Sequence, residues 1–438
     1  MSGVAERLEV AGLLPDEARR KAEVFAGVDA ALETWRTANR GVPVERRFVP
    51  GRIEVLGRHM GAGGGRSLLA ALGRGVCIAA APREDALLRI RDAGRGLSAE
   101  LPLDAPPQRR ESGWERSALA AAALLSRDVP NLRGADVALG SDLPRGAGLS
   151  SSTAFAAGIL AVLAAVNRGD DRSGGRDLLG SPERLAAAIG AIEESSGEEE
   201  GDAGGSPDAA AIAGARAGAV SQWAFRPLRH ERFLPLDDVW RFVVAVSGVS
   251  GDRTEARGLF RRSAESAEAI LALWNRSTGR KDATLFSALA TGPDAHERLR
   301  RLVRALPVPR FEATFLEARL AQFVEEALEL VPAAGDLIAR GEVARLEEPV
   351  ARSAALAERC FGAWRPEPAF LARSALRLGA CAASCFGGSA PSVWALVATV
   401  EAGAFRRRWA EDYGREHPGP AAASRFFATR PGPSIVRI

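Results

Sequence analysis

Lysine is almost missing from this chain of 438 residues: it stands only at positions 21 and 281, while lysine and arginine together number 58. The positive charge is carried by arginine, which with abundant alanine and glycine points to a GC-rich genome rather than a basic binding surface. A formal net charge of +3 lacks the excess with which proteins hold nucleic acid, so no nucleic-acid partner is expected. Cysteine is scarce as well, at Cys77, Cys360, Cys381 and Cys385, and so few exclude a disulfide framework. Cys381 and Cys385 stand four apart with no histidine nearby, which does not fit zinc-ligand spacing. No apolar run reaches membrane-spanning length, and the first residues, MSGVAERLEV, are too polar for a signal peptide. The expectation is a cytoplasmic protein with no membrane partner. No internal repeat is present.

The chain has the apolar and charged fractions of a globular protein, 47% and 26%, and its length suits two domains. Residues 5–40 alternate charged and apolar positions at helical spacing. RRFVPGRIEVLG reads as a strand broken at Pro50-Gly51, and VCIAAAP, LLRIRDA, ADVALGSDLP and AGAVSQWAF read as further strands, followed by a turn at FRPLRHERF. The segment 168–206 reads as loop around a helix near 182–194. After the strand WRFVVAVSGVSG, helices dominate from 254 to 380, before the strand SVWALVATV and a helix near 400–413. This predicts a mixed α/β chain of two units, 1–230 and 231–438.

Three stretches place small residues where chemistry could occur. In GSDLPRGAGLSSSTAFAAGILAVL, residues 140–163, Gly146 and Gly148 permit tight turning ahead of an apolar helix. Unpaired N–H groups at such a helix start attract an anion, phosphate above all, and a nearby serine hydroxyl can help hold Mg²⁺. The alternative is a serine that merely caps a core helix. In VPGRIEVLGRHMGAGGG, residues 49–65, Arg52 follows a Pro-Gly turn and Arg58-His59 precede a glycine run. Arginine's fixed charge and forked donors suit phosphate or carboxylate, while a plain surface arginine is the other reading. In GSPDAAAIAGARAGAVSQWAF, residues 205–225, Asp208 either caps a small-residue helix or orients a hydroxyl during transfer to phosphate. The acidic run upstream includes Glu193 and Glu194 at a helix end, within possible reach of a metal.

Pro144-Arg-Gly-Ala-Gly148-Leu149-Ser150-Ser151-Ser152 resembles the second motif of the GHMP small-molecule kinases, and VPGRIEVLGRH…GG resembles the first motif of their galactokinase branch. Asp208 stands ten residues before Gly218, as the catalytic aspartate of that branch stands before a glycine. FVVAVSGVSGDRTEAR is similar to the opening of the family's second half, and LGACAASCFGGSAPSVWALV to its third glycine-rich motif. The resemblance implies a kinase that moves the γ-phosphate of ATP, with Mg²⁺, to a hydroxyl of a small molecule. It implies an N-terminal α/β domain paired with a ferredoxin-like C-terminal one, with the active site in the cleft between. It further implies that Gly146, Gly148, Leu149, Ser150, Ser151 and Ser152 wrap the phosphates, with Ser152 and Glu193 as metal ligands. Asp208 becomes the base or orienting carboxylate, Arg52 the stabiliser of the transferring phosphoryl group, and Arg58, His59 and Gly61 the acceptor-binding positions.

The chain departs from the pattern on the acceptor side. Arg58 and Gly61 stand where galactokinases carry acidic residues that hold sugar hydroxyls, which argues against galactose. Arg58 instead suits an anionic or carbonyl-bearing acceptor, and the glycines leave room for something larger. The third motif is altered near 384–391, where Pro391 removes a backbone donor. The resulting expectation is a kinase for another sugar-like metabolite; the alternative is a pseudokinase that binds nucleotide or sugar as a sensor or partner protein.

Overall fold

The computed structural model describes residues 2–35, 42–104, 113–167, 180–196, 206–251, 253–387 and 392–438. Pro391, part of the third motif and most of the expected loop at 168–206 lie outside them. The strands are β1 (Glu45–Leu56), β2 (Arg66–Pro82), β3 (Leu87–Asp92), β4 (Ser98–Pro102), β5 (Ala135–Ser141), β6 (Ala219–Ala224), β7 (Arg229–Pro235), β8 (Trp240–Val246), β9 (Ala382–Phe386), β10 (Ser392–Ala398), β11 (Arg425–Thr429) and β12 (Val436–Arg437). The principal helices are α1 (Ser2–Val10), α2 (Pro15–Glu33), α3 (Gly113–Leu125), α4 (Ser151–Val166), α5 (Pro182–Ser196), α6 (Pro207–Ala213), α7 (Arg253–Thr278), α8 (Ala313–Val324), α9 (Glu347–Phe361), α10 (Pro366–Arg377) and α11 (Ala402–Glu416).

Two sheets organise the described residues. The larger runs β12-β1-β2-β5-β3-β4, with β6 and β7 added through β2. The smaller has the order β11-β8-β10-β9. Numbered within that sheet the order is 4-1-3-2, all antiparallel, with helices between its first two strands and α11 between its last two. That is the ferredoxin-like arrangement, so the fold is the expected mixed α/β one. β1 is continuous through Pro50-Gly51, where a break was expected. On its outer side β12 pairs only with Arg47 and Phe48, so the missing proline N–H is tolerated as on an edge strand. Part of the expected turn at FRPLRHERF is strand β7, which returns antiparallel to β6.

The long β1–β2 ribbon is buried on both faces, which explains its near-continuous apolar run. One face packs α4 and α6 through Val49, Ile78, Ile159, Leu163 and Ile212, with Ile189 of α5 in the same core. At one end its other face meets α1 and α2 through Phe25, Val28, Phe48 and Cys77. At the other end Ile53, Val55 and Leu68 pack against Phe242, Val244 and Trp394 of the small sheet. The ribbon therefore reaches from one sheet to the other, and the end that meets the small sheet carries Arg52 and Glu54.

One of the two lysines is a structural pin. Lys21 on α2 is fully buried and ion-paired with Asp142, just beyond β5. Asp142 also accepts the Gly75 N–H at 2.9 Å, and its carbonyl accepts Arg74 Nη1 at 2.9 Å. Removing one partner of a buried pair strands the other charge. Lys21→Ala is expected to lower unfolding free energy by about 3–5 kcal/mol in urea denaturation. A loss below about 1 kcal/mol would show that the pin is dispensable.

Candidate active site

The apolar helix α4 begins where a loop that only small residues can form ends. Gly146, Gly148 and Ser150 all have left-handed φ values, of 58°, 65° and 61°, so alternate residues turn the chain back before α4. Glycine adopts this conformation freely and serine does so at a cost. Ser150 occupies the cap position of α4, yet its hydroxyl makes no capping bond; it donates instead to Asp208 Oδ2. The serine is therefore more than the plain cap that composition allows, and the first N–H groups of α4 keep no side-chain partner from it. Leu149 is buried beneath the loop, while Ser151 and Ser152 in the first turn of α4 are exposed.

Asp208 is not a cap either. Ser206 caps α6, its Oγ accepting the Ala209 N–H at 3.0 Å, and Pro207 fills the first helical position. That leaves the Asp208 carboxylate for other partners. Arg52 Nε donates to its Oδ1 at 2.6 Å, while Arg52 Nη1 donates to the Gly148 carbonyl at 2.9 Å. The Arg52 amide also donates to the Leu149 carbonyl at 3.2 Å. Arg52 is thus a buried cross-brace between the glycine loop and α6. Gly387, the described end of the third motif, lies back to back with Gly148: a Cβ added there would sit 2.9 Å from the Gly148 Cα. The three glycine-bearing stretches meet at this point.

Glu193 on α5 joins the same framework. It is buried and accepts hydrogen bonds from Thr153 on α4 and from Ser206, the latter at 2.8 Å. It therefore stands between the start of α4 and the cap of the helix bearing Asp208; Glu194 is exposed. Among the described residues no group of three or more His, Cys, Asp or Glu could hold a metal. A Mg²⁺ ion here would rely on phosphate oxygens with one or two protein ligands, its usual mode in phosphoryl transfer.

Arg58 and His59 form a second cluster. Arg58 stacks over Trp364 with 3.9 Å to the ring centroid, and its Nε donates to His59 Nε2 at 3.2 Å. The His59 ring lies against Phe361 and Phe260, at 4.6 and 5.3 Å between centroids. Burial foremost, then the charges of Arg58 and Arg319, push its pKa well below the usual histidine value. His59 is accordingly a neutral imidazole. Gly61 lies in a buried turn, its carbonyl accepting the Gly64 N–H at 2.9 Å. The room the glycine run was expected to leave for an acceptor is filled by protein. A Cβ on Gly63 would come within 2.3 Å of the Phe323 ring, and one on Gly64 within 2.8 Å of Thr284.

The sequence reading missed the residues that hold this loop. Arg319 Nη2 donates to the His59 carbonyl at 2.7 Å, Gln322 Nε2 to the Arg58 carbonyl at 3.1 Å, and the Gly57 N–H to Glu326 Oε1 at 2.7 Å. These three stand at i, i+3 and i+7, one face of a continuous helical path. The path passes from α8 into a π-helical turn, Glu325–Leu330, in which the Val331 N–H bonds to the Glu326 carbonyl. Pro332 follows at once. Having no N–H, it cannot continue the α-helical ladder, which accounts for the widened turn. Glu54 was missed too; on β1 beside Arg52, burial pushes its carboxyl up to about 7 despite the opposing charges of Arg52 and Arg58.

Residues 116–214, from α3 through the glycine loop to just past α6, match the family described as GHMP kinases N terminal domain. A galactokinase of Chloroflexus aggregans is 35% identical over 114 residues, 26% of this chain and 29% of that relative. Over this stretch the chain is similar to the GHMP kinases, and to galactokinases among them. A galactokinase of Roseiflexus sp. is 32% identical over 119 residues, 27% of this chain and 30% of that relative. These matches thus span under a third of the relatives' length. Over the whole chain the likeness to solved structures is one of fold. Lactococcus lactis galactokinase complexed with galactose superposes with a TM-score of 0.75 at 20% identity, covering 94% of this chain and 99% of that one. Methanococcus jannaschii mevalonate kinase does so with a TM-score of 0.52 at 12% identity, covering 90% and 99%.

Glu326 offers a direct test of the loop's support. Glu326→Ala leaves the Gly57 N–H and the buried Ser353 hydroxyl, which donates to Glu326 at 2.8 Å, without an acceptor. The expected loss is about 1–3 kcal/mol in chemical denaturation, with faster exchange of the Gly57 amide. Unchanged stability and exchange would mean the loop holds itself.

Proposed function

We propose that the chain is an ATP-dependent phosphotransferase that moves the γ-phosphate to a hydroxyl of a sugar or sugar-like small metabolite other than galactose. One observation carries the reading: Arg52 and Asp208, 156 positions apart, are joined at the glycine loop with Ser150 bonded to the same carboxylate. A protein that only bound nucleotide would have no use for a carboxylate so placed, which weighs against the pseudokinase reading. The open N-terminus of α4 and its left-handed loop suit a triphosphate, so the residues present fit ATP. Gly146, Gly148, Leu149 and Ser150 to Ser152 would surround the phosphates, with Ser152 and Glu193 as the protein's ligands for Mg²⁺. When bound, Mg²⁺-ATP supplies the phosphoryl group and neutralises part of its charge.

The residues' own work is positioning. Asp208, pinned through one oxygen by Arg52, offers a fixed acceptor for the incoming hydroxyl's proton. Its orientation matters more than its basicity, because phosphoryl transfer proceeds through a loose transition state in which deprotonation is late. Arg52, drawn towards Asp208 and the Gly148 carbonyl, holds a permanent positive charge where negative charge spreads over the transferring group. The two sheets are the centres of the two proposed units, 1–230 and 231–438, with β7 straddling the division. The proposed partners are ATP and a small hydroxyl acceptor, and the proposed location is the cytoplasm. No helix among the described residues is long and apolar enough to cross a membrane.

Turnover of Mg²⁺-ATP by the purified chain, across neutral sugars, aminosugars, nucleosides, cyclitols and galactose, tests the reading. Asp208→Asn is expected to reduce transfer by about 10³-fold while ATP affinity stays within about threefold. Equal losses of affinity and turnover would remove Asp208 from its assigned role. Ser152→Ala is expected to weaken Mg²⁺-ATP more than metal-free ATP in calorimetric titration. Equal weakening of the two would take Ser152 out of the metal shell.

A further inference from the structure

The segment of β1 that carries Arg52 is set apart from the rest of the strand. Its pairing with β2 shifts register between Pro50 and Arg52 and again between Glu54 and Leu56. Irregularities of this kind re-aim side chains and are frequent beside active sites. Between the two shifts the pairing is regular, Arg52 with Ala71, Ile53 with Ala70 and Glu54 with Leu69. Strand alternation therefore puts Arg52 and Glu54 on one face, while Ile53 joins the core between the sheets. The backbone is fixed here as well, since Trp394 Nε1 donates to the Glu54 carbonyl at 3.1 Å.

Arg52 is committed to Asp208 and Gly148, but the Glu54 carboxylate is committed to no described residue. It is half-buried, and besides that burial, which acts on it most, it feels only through-space charges, with no hydrogen bond from any described residue. Those charges come from every element around it: Arg52 on its own strand, Arg58 beyond the strand's end, Asp208 on α6 and Glu326 on the π-helical turn. Carboxylates drawn out of water are ordinarily hydrogen-bonded. Arg58 is engaged with Trp364 and His59. This side of the site thus offers a carboxylate beside Asp208, the proposed partner of the reacting hydroxyl.

We propose that Glu54 binds the acceptor by receiving hydrogen bonds from its hydroxyl or amino groups, so that the acceptor is a neutral or amino-bearing polyol rather than a sugar acid or sugar phosphate. The assignment rests on the phosphotransferase reading and narrows it. It also sets a pH dependence. Above about pH 7 Glu54 is a carboxylate and accepts; as pH falls through 7 it takes up a proton and the acceptor loses its partner. The acceptor KM therefore rises on acidification.

The experiment is Mg²⁺-ATP turnover by the full chain on four acceptor sets: neutral polyols, amino polyols, uronic acids and sugar phosphates. It is run from pH 6 to 8.5 with the wild type, Glu54→Gln and Glu54→Asp. The expected result is transfer to a neutral or amino polyol. Glu54→Gln should raise that acceptor's KM roughly 10- to 100-fold, the range for a hydrogen bond to a charged group. The KM for ATP should stay level, Glu54→Asp should restore part of the loss, and the acid-side rise in KM should vanish in Glu54→Gln. Preference between the neutral and amino sets identifies which donor Glu54 receives. Transfer only to uronic acids or sugar phosphates, or an acceptor KM in Glu54→Gln within about twofold of wild type, overturns the assignment alone. Transfer to no acceptor overturns the phosphotransferase reading and this assignment with it. Should Glu54→Gln fail to fold, a wild-type acceptor KM that is flat across pH 7 overturns it equally.

Discussion

The site depends on one ion pair. Arg52 and Asp208 come from a strand and a short helix far apart in the chain, and each is held by other parts of the structure. Arg52 reaches Asp208 because β1 lies against the glycine loop, where its amide and guanidinium bond the carbonyls of Leu149 and Gly148. Asp208 is available because Ser206 and Pro207 have taken the capping duties of α6. Ser150 then turns from capping α4 to bonding Asp208, which leaves the start of α4 open. Loop shape, helix start and carboxylate are in this way consequences of a single brace. A buried arginine without its carboxylate would be costly to keep, so the brace also ties the stability of this region to its chemistry.

Opposite the brace, the loop after β1 has no regular structure of its own, and a helix from the second half of the chain supplies its order. Arg319, Gln322 and Glu326 take the backbone groups of His59, Arg58 and Gly57 in reverse order along one helical face. Phe323, on the same face, fills the space at Gly63. The grip bonds main-chain atoms, so it fixes the path of the loop while leaving its side chains free to differ. That division lets the loop change in sequence without losing its frame.

Much of this was legible in the sequence, and the legible parts share a cause. Gly146, Gly148 and Ser150 could be read because left-handed turning and an uncapped helix start demand particular residue types at fixed spacing. The 3.6- and 2-residue periods located most elements, since each buries a single stripe or face. Contacts between distant residues left no such trace. Nothing local says that Asp208 meets Arg52, and only the order of the motifs suggested it. Arg319 and Gln322 are unremarkable within a helical pattern, although Pro332 soon after an acidic pair marks where the helix must widen. The glycines at 61–65 misled, because a missing side chain makes room without saying what will fill it. Glu54 carried a faint signal as a second charge, two positions after Arg52, in a half-strand whose other residues are glycine and aliphatic, and its meaning depends on neighbours brought by other elements.

The arginine at 58 is coupled to its neighbours once charges are counted. An arginine at 58 adds positive charge near Arg52 in a half-buried place, and burial already lowers its pKa to about 10. Glu54 is the leading charge that favours the Arg58 cation, while Arg52 and Arg58 are the charges that favour the Glu54 anion. Neither residue is easily kept without the other, because each would then add uncompensated charge to a region shielded from water. With Arg52 and Asp208 they make two positive and two negative groups, so these four side chains balance in charge. An acid in place of Arg58 would leave three carboxylates against one arginine among these four. On the reading proposed above, Glu54 would bond the acceptor and Arg58 would help keep it ionised, so the two positions act as a pair.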